Sequence, residues 1–182
     1  MKFTIESKTH GTFDILYSKE DEVIIQGHTW SIQKRRNKFY VATSIKGPDG
    51  KHRLKSLHSM IAGTPEGMET DHINGDTLDN RRQNLRVCTN SENQMNRGKP
   101  KNNTSGLKGV SFHKSTKKYQ AYIYRDGRQI HLGVFDILEE AGRVRDAATI
   151  ELRNVVTPRM LNFPDEFNFV EKRFKEDLKE IR

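Results

Sequence analysis

The chain is short of the residues that staple or bury a small protein. Only one of its 182 residues is a cysteine, Cys88. No disulfide can form within the chain, and no four-cysteine zinc site can be built from it. Cys88, between Val87 and Thr89, reads as a small buried residue. Apolar residues make up 33% of the chain and the mean hydropathy is −0.85, little for one continuous core. The length suits one or two small domains. No apolar run approaches the roughly 20 residues of a membrane helix, and no signal or targeting segment is recognisable. These absences predict a soluble protein of the cytoplasm, with no membrane partner and no obligatory protein partner evident.

Acidic residues are also in the minority, 24 against 32 Lys and Arg, giving a net charge of +8 and a pI near 9.6. That balance favours a polyanionic partner. Its distribution is more telling than its size. One basic stretch runs from Lys34 to Lys55, relieved only by Asp49, and a second from Arg97 to Arg128, opposed only by Asp126. Two such stretches flanking one site can contact phosphates along a duplex. Residues 165–182 mix both signs and read as a solvated C-terminal helix.

The segment between those stretches carries the chemistry. Asp71 and His72 are adjacent, eleven residues separate His72 from Asn84, and eight separate Asn84 from Asn93. Phosphodiester hydrolysis needs a base to deprotonate water and a cation to neutralise charge on the phosphate and leaving oxygen. A histidine beside a carboxylate, with a second oxygen ligand brought in by a helix, supplies both. Thr89-Asn90-Ser91-Glu92 has capping-box spacing, which starts a helix and puts Asn93 in its first turns. Asn74-Gly75-Asp76 is turn chemistry. The expected unit is therefore a strand ending at Asp71-His72, a loop tied by Asn84, a strand at Leu85-Arg86-Val87, and the capped helix.

Asp71-His72, Asn84-Leu85-Arg86 and Thr89…Glu92-Asn93 resemble the HNH endonuclease family in its homing-endonuclease-like branch, which has a ββα-metal site. The resemblance implies His72 as general base, Asp71 and Asn93 as ligands of one Mg²⁺ or Mn²⁺, and Asn84 as the loop-fixing residue. Asn96, one turn beyond Asn93, is the second choice of ligand. Arg86 either holds the scissile phosphate or is a surface strand arginine. A strand-rich lead-in ending near His58 precedes the motif in relatives. His58 is expected to satisfy a core hydrogen bond, with an orienting place near the site as the alternative.

Residues 1 to about 62 read as short strands and turns, with β-rich segments at Thr29–Ile32 and Phe39–Ile45 and a turn at Gly47–Gly50. Leu54, Leu57, Met60 and Ile61 are helically spaced and predict a short helix packed on the HNH-like unit. Domain bounds are expected at 1–97, with the motif at 69–97, a basic linker at 98–105, a second domain at 106–164, and the helix at 165–182. In the second domain, alternation at Val110-Phe112, Ala121-Ile123 and Ile130-Leu132 predicts three strands sharing an apolar face, with a hairpin turn at Asp126-Gly127. A helix from about Leu138 covers that face through Ala141, Val144, Ala148 and Leu152. The fold class is α+β.

Gly109-Val110, Lys118–Ile123, Leu132–Phe135, Glu140-Ala141, Asp146–Ala148 and Leu161–Pro164 resemble the APETALA2-type DNA-binding domain. That resemblance implies a three-stranded sheet docked in the major groove of double-stranded DNA. Its contacting positions fall on Ser111, His113, Gln120, Tyr122, Tyr124, Gln129 and His131, to which Lys118 and Arg128 add charge. The pair of resemblances describes a phage or mobile-element homing endonuclease. The alternatives are a non-cleaving DNA-binding regulator with a vestigial HNH unit, and a nuclease of RNA or structured DNA.

Overall fold

A computed structural model describes residues 1–99, 102–125, 127–153 and 156–166. The architecture is α+β, and the chain divides into two compact units, Met1–Met95 and Asn96–Arg182. Among the described residues no helix is long and apolar enough to cross a membrane.

The first unit runs β1 (Lys2–Ser7), β2 (Gly11–Tyr17), α1 (Glu22–Gln26), β3 (Ser31–Arg35), β4 (Lys38–Lys46), β5 (His52–Ser56), α2 (Leu57–Ala62), β6 (Glu69–His72), β7 (Asp79–Asn80), β8 (Leu85–Cys88) and α3 (Asn90–Met95). Its strands form three small sheets: β1-β2-β7, β3-β4-β5 and β6-β8. One core of Ile15, Tyr17, Ile25, Val41, Leu57 and Ile61 joins them. Each such side chain contributes about 1.5–3 kcal/mol when fully buried. The β-rich segments pair as a β3–β4 hairpin whose two-residue turn has Arg36 at φ 55°. The first basic stretch thus begins at the tip of this hairpin and continues through β4 into β5.

Helix α2 begins later than the spacing predicts. Leu54 lies in β5, paired with Ser44 and 57% exposed, so the helical spacing there is coincidental. Ladder bonds to β4 decide its state, and the helix starts only at Leu57. The helix ends at Gly63, whose left-handed φ of 59° a side chain disfavours. Leu57, His58 and Ile61 are its buried residues.

The second unit contains β9 (Val110–His113), β10 (Lys118–Arg125), β11 (Arg128–Phe135) and α4 (Leu138–Leu152), in sheet order β11-β10-β9. Val110, Ala121 and Ala141 form its buried core. The expected inward residues Val144, Ala148 and Leu152 are only half-buried. Arg145, Asp146 and Thr149 are buried in their place. Asp146 accepts the backbone N–H groups of Asn162 and Phe163 at 2.6 and 2.9 Å, so α4 uses a polar stripe to anchor the returning chain.

The expected linker belongs to this unit over its described residues. Asn103 Nδ2 and Ser105 Oγ donate to the Leu107 carbonyl, and Lys108 Nζ reaches the Arg97 carbonyl at 2.8 Å. Asp126 of the hairpin turn and residues 167–182 of the expected C-terminal helix lie outside the described residues.

Candidate functional site

β6 and β8 pair antiparallel with Asp71 opposite Arg86 and His72 opposite Leu85. Strand alternation sends Asp71 and Glu69 to one face and His72 to the other. On the first face, Arg86 Nε and Nη2 donate to Asp71 Oδ2 at 3.1 and 2.8 Å, and Nη2 also reaches the Glu92 carbonyl at 3.3 Å. That guanidinium ties the strand to α3 one residue before Asn93. The helix start is capped as its sequence predicts: the Thr89 N–H donates to Glu92 Oε2 at 2.8 Å, and the Glu92 N–H to Thr89 Oγ1 at 3.3 Å. Glu69 fixes the helix a second time. Its carboxylate accepts Asn90 Nδ2 at 2.7 Å and Asn93 Nδ2 at 2.5 Å, which turns Asn93 Oδ1 away from Glu69.

His72 is 4% exposed on the opposite face. Its Nε2 lies 3.4 Å from Asn80 Oδ1, and Asn80 Nδ2 donates to the Leu78 carbonyl at 3.2 Å. The second bond orients the amide so that its oxygen faces the ring. The imidazole hydrogen then sits on Nε2 and the lone pair on Nδ1. His58 packs edge-on against His72 with ring centroids 4.9 Å apart, and Tyr40 sits beside both rings at 5.8 and 6.5 Å. Burial pushes the His72 imidazole below its ordinary pKa, opposed by the Asn80 bond and the Asp71 charge. Burial, with the charges of His72 and Arg35, pushes His58 down to about 3. Both rings are neutral near pH 7.

Asn84 is 6% exposed and spans the loop between strands. Its Oδ1 accepts the Asn74 N–H at 2.9 Å, its Nδ2 donates to the Asp79 carbonyl at 2.7 Å, and its own carbonyl accepts from Ile73. Asp79 holds the same loop through Arg81 and Asn74. The Arg81 guanidinium keeps its carboxyl below the usual carboxylate range.

In the second unit, the pairs Gln120–Ser111, Lys118–His113, Tyr122–His131 and Tyr124–Gln129 share the sheet face opposite Ala121 and Ile123. A register shift after Ala121 makes this possible. Gly133 at φ 137° absorbs the extra residue on β11, where a Cβ would meet the Phe135 ring at 3.1 Å. Tyr122 and Tyr124 stack edge-on at 6.0 Å. Lys118 pairs with Asp136 at 3.0 Å. Arg128 pairs with Arg125, which by alternation places it on the other face from Tyr124 and Gln129.

Residues 60–95 match the family described as HNH endonuclease. Protein 3.8 of Escherichia phage T7 is 39% identical over 75 residues, 41% of this chain and 62% of that protein. The AP2-like ethylene-responsive transcription factor TOE2 of Arabidopsis thaliana is 30% identical over 82 residues, 45% of this chain and 15% of its own length. APETALA2-like protein 2 of Oryza sativa subsp. indica is 30% identical over 83 residues, 46% of this chain and 17% of its own. The chain carries an HNH endonuclease unit and an APETALA2-like region. It spans less than two thirds of the phage protein and under a fifth of the two plant proteins. No solved structure matches.

Within the HNH unit, the structure brings Asp71, Arg86 and Asn93 to one face, His72 to the other, and Asn84 to the loop between. The oxygens it leaves outside the Arg86 and Glu69 contacts, Asp71 Oδ1 and Asn93 Oδ1, are hard donors of the kind Mg²⁺ or Mn²⁺ takes. Among the described residues no group of three or more His, Cys, Asp or Glu is placed to hold a metal. Two protein oxygens suit Mg²⁺, which keeps several waters. Asn96 is 3% exposed, and its Oδ1 accepts from Thr157 Oγ1 at 2.6 Å. Arg86 is committed to Asp71, with 11% of its side chain exposed, and is not a surface arginine. His58 Nδ1 is buried without a hydrogen-bond partner, so the expected satisfied core histidine is instead a packing partner of His72.

Sequence reasoning missed Glu69, Asn80 and Tyr40. Glu69 was accessible in principle, two residues before Asp71 on the same strand face. Asn80 and Tyr40 reach His72 only through strand pairing, which no local pattern reveals.

Proposed function

We propose that this protein is a metal-dependent, sequence-preferring DNA endonuclease of the homing-endonuclease kind. The observation that carries it is a buried neutral histidine, oriented by Asn80 at the end of the strand whose preceding residue, Asp71, is linked through Arg86 to the helix bearing Asn93. Asp71 and Asn93 would hold one divalent cation, Mg²⁺ or Mn²⁺, which when bound would neutralise charge on the phosphate and the leaving 3′ oxygen. His72 Nδ1 accepts a proton from the attacking water, and the Asn80 bond stabilises the ring as it becomes charged. Asn84 keeps the loop after His72 in one conformation. The products are a 5′ phosphate and a 3′ hydroxyl.

The APETALA2-like unit holds the duplex. Ser111, His113, Lys118, Gln120, Tyr122, Tyr124, Gln129 and His131 face a major groove from one sheet surface, and Arg128 meets phosphate from the hairpin end. Joining this unit to the nuclease raises the local concentration of target beside His72. One chain carries one such site, so a monomer nicks one strand.

A non-cleaving DNA-binding regulator is the second reading, and the Arg86–Asp71 pair favours it, because a guanidinium already neutralises the carboxylate. His72→Ala separates the two. The nuclease reading expects metal-dependent cleavage to fall by about 10²–10⁴-fold with DNA affinity in a gel shift nearly unchanged. A parallel fall in both makes His72 structural.

A further inference from the structure

We propose that the tip of the β3–β4 hairpin is the phosphate clamp of the His72 site, with Arg35 and Lys38 holding the sugar-phosphate backbone of duplex DNA beside the bond offered to His72. This rests on the nuclease reading of His72. Arg35 and Lys38 are directly paired across the hairpin, so both side chains leave the same face, and alternation along β4 puts Tyr40 on that face too. Tyr40 is the ring that packs beside His58 and His72. The Arg35 guanidinium lies over the Tyr40 ring, 5.6 Å from its centroid. Lys38 Nζ donates at 3.0 Å to the carbonyl of Gly75, whose own N–H donates to the His72 carbonyl at 2.8 Å. Two cations therefore converge on His72 from a strand pair distant in sequence.

Their surroundings suit an anion. Among the described residues Arg35 pairs with no carboxylate, whereas Arg81, Arg82, Arg86 and Arg53 each have one. A guanidinium laid on an aromatic face keeps its N–H fork free for phosphate. Arg86, the arginine within the HNH motif, is spent on Asp71 and cannot take this task without releasing it. Arg36, at the turn itself, adds further positive charge to the hairpin tip.

The test uses the full-length protein and a duplex DNA probe. Affinity is measured against salt in EDTA, and cleavage against DNA concentration with Mg²⁺. Each phosphate contact adds about 0.9 to the slope of log affinity on log salt, so R35Q/K38M should lower that slope by about 1.8. It should also raise half-saturating DNA for cleavage at least tenfold with the turnover rate less affected. K2Q, which removes a cation elsewhere, should change neither. R35Q alone loses no hydrogen bond and should lower the slope by about 0.9 if the double variant melts early. Restoring charge with R35K/K38R should recover the slope. An unchanged slope in a folded R35Q/K38M protein overturns the clamp, and cleavage by the wild type would leave the nuclease reading standing. A lowered slope without any wild-type cleavage keeps the hairpin as a phosphate contact and removes the nuclease.

Discussion

At the residue scale, burial leaves His72 neutral against the opposing pull of the Asn80 bond on Nε2, with His58 edge-on and Tyr40 beside both rings. A consequence is acid sensitivity with a defined sign. His58 has a folded pKa of about 3 against an ordinary 6.5, so below 6.5 the unfolded chain binds a proton that the native state refuses. Stability is full above pH 6.5 and falls as pH drops toward 3, by about 2–3 kcal/mol near pH 4.5. His72, also lowered, acts in the same direction. His58→Phe should flatten this slope in denaturant titrations between pH 4.5 and 7; an unchanged slope would mean that His58 is not buried neutral. Asn84 offers a second test. Its two side-chain bonds close the loop after His72, so Asn84→Ala should cost about 2–4 kcal/mol and lower the thermal midpoint even without DNA. The positions of Asp71 and His72 at a strand end, and of Asn84 tying the loop that follows, were legible in the sequence because their spacing is local. Asn80 and Tyr40 were not, since their approach depends on β7 joining β2 and on β4 reaching α2.

At the element scale, the β6–β8–α3 unit is held by two crossed ties, Arg86 from Asp71 to the Glu92 carbonyl and Glu69 to Asn93. Arg86→Gln leaves the Asp71 carboxylate in place with only 10% of its side chain exposed. Breaking such a pair from one side costs about 3–5 kcal/mol. If Asp71 is a metal ligand, a cation replaces the missing guanidinium, so Mn²⁺ should raise the melting temperature of Arg86→Gln more than that of the wild type. Equal shifts would remove Asp71 from the ligand set. The capped helix and its flanking strands were readable from capping and turn residues, whose effects act within a few positions. Helix α2 and the inner face of α4 were misread for a common reason. Tertiary hydrogen bonds overrode apolar spacing, pulling Leu54 into β5 and turning Arg145, Asp146 and Thr149 inward.

At the scale of the whole molecule, the chain has two units with separate cores, and the proposed function assigns cutting to the first and holding of the duplex to the second. Removing residues 96–182 should cost site selectivity and salt-sensitive affinity more than intrinsic chemistry, read by mapping cut sites from both proteins. Unchanged selectivity in the shortened chain would assign recognition to the N-terminal strands. The structure divides at Met95 and Asn96, beside the stretch that the sequence reads as a linker. Residues 98–105 lack apolar anchors, yet their described part is tied to the second unit by Asn103 and Ser105, whose side chains bond the Leu107 carbonyl. Metal-dependent cleavage is tested most directly by incubating the purified protein with a supercoiled plasmid library, with Mg²⁺ and with EDTA, followed by end mapping. A nuclease of this kind gives nicked or linear DNA only with metal, with clustered ends carrying 5′ phosphates. Intact plasmid in both, alongside a specific gel shift, would contradict the nuclease reading and make the protein a DNA-binding regulator.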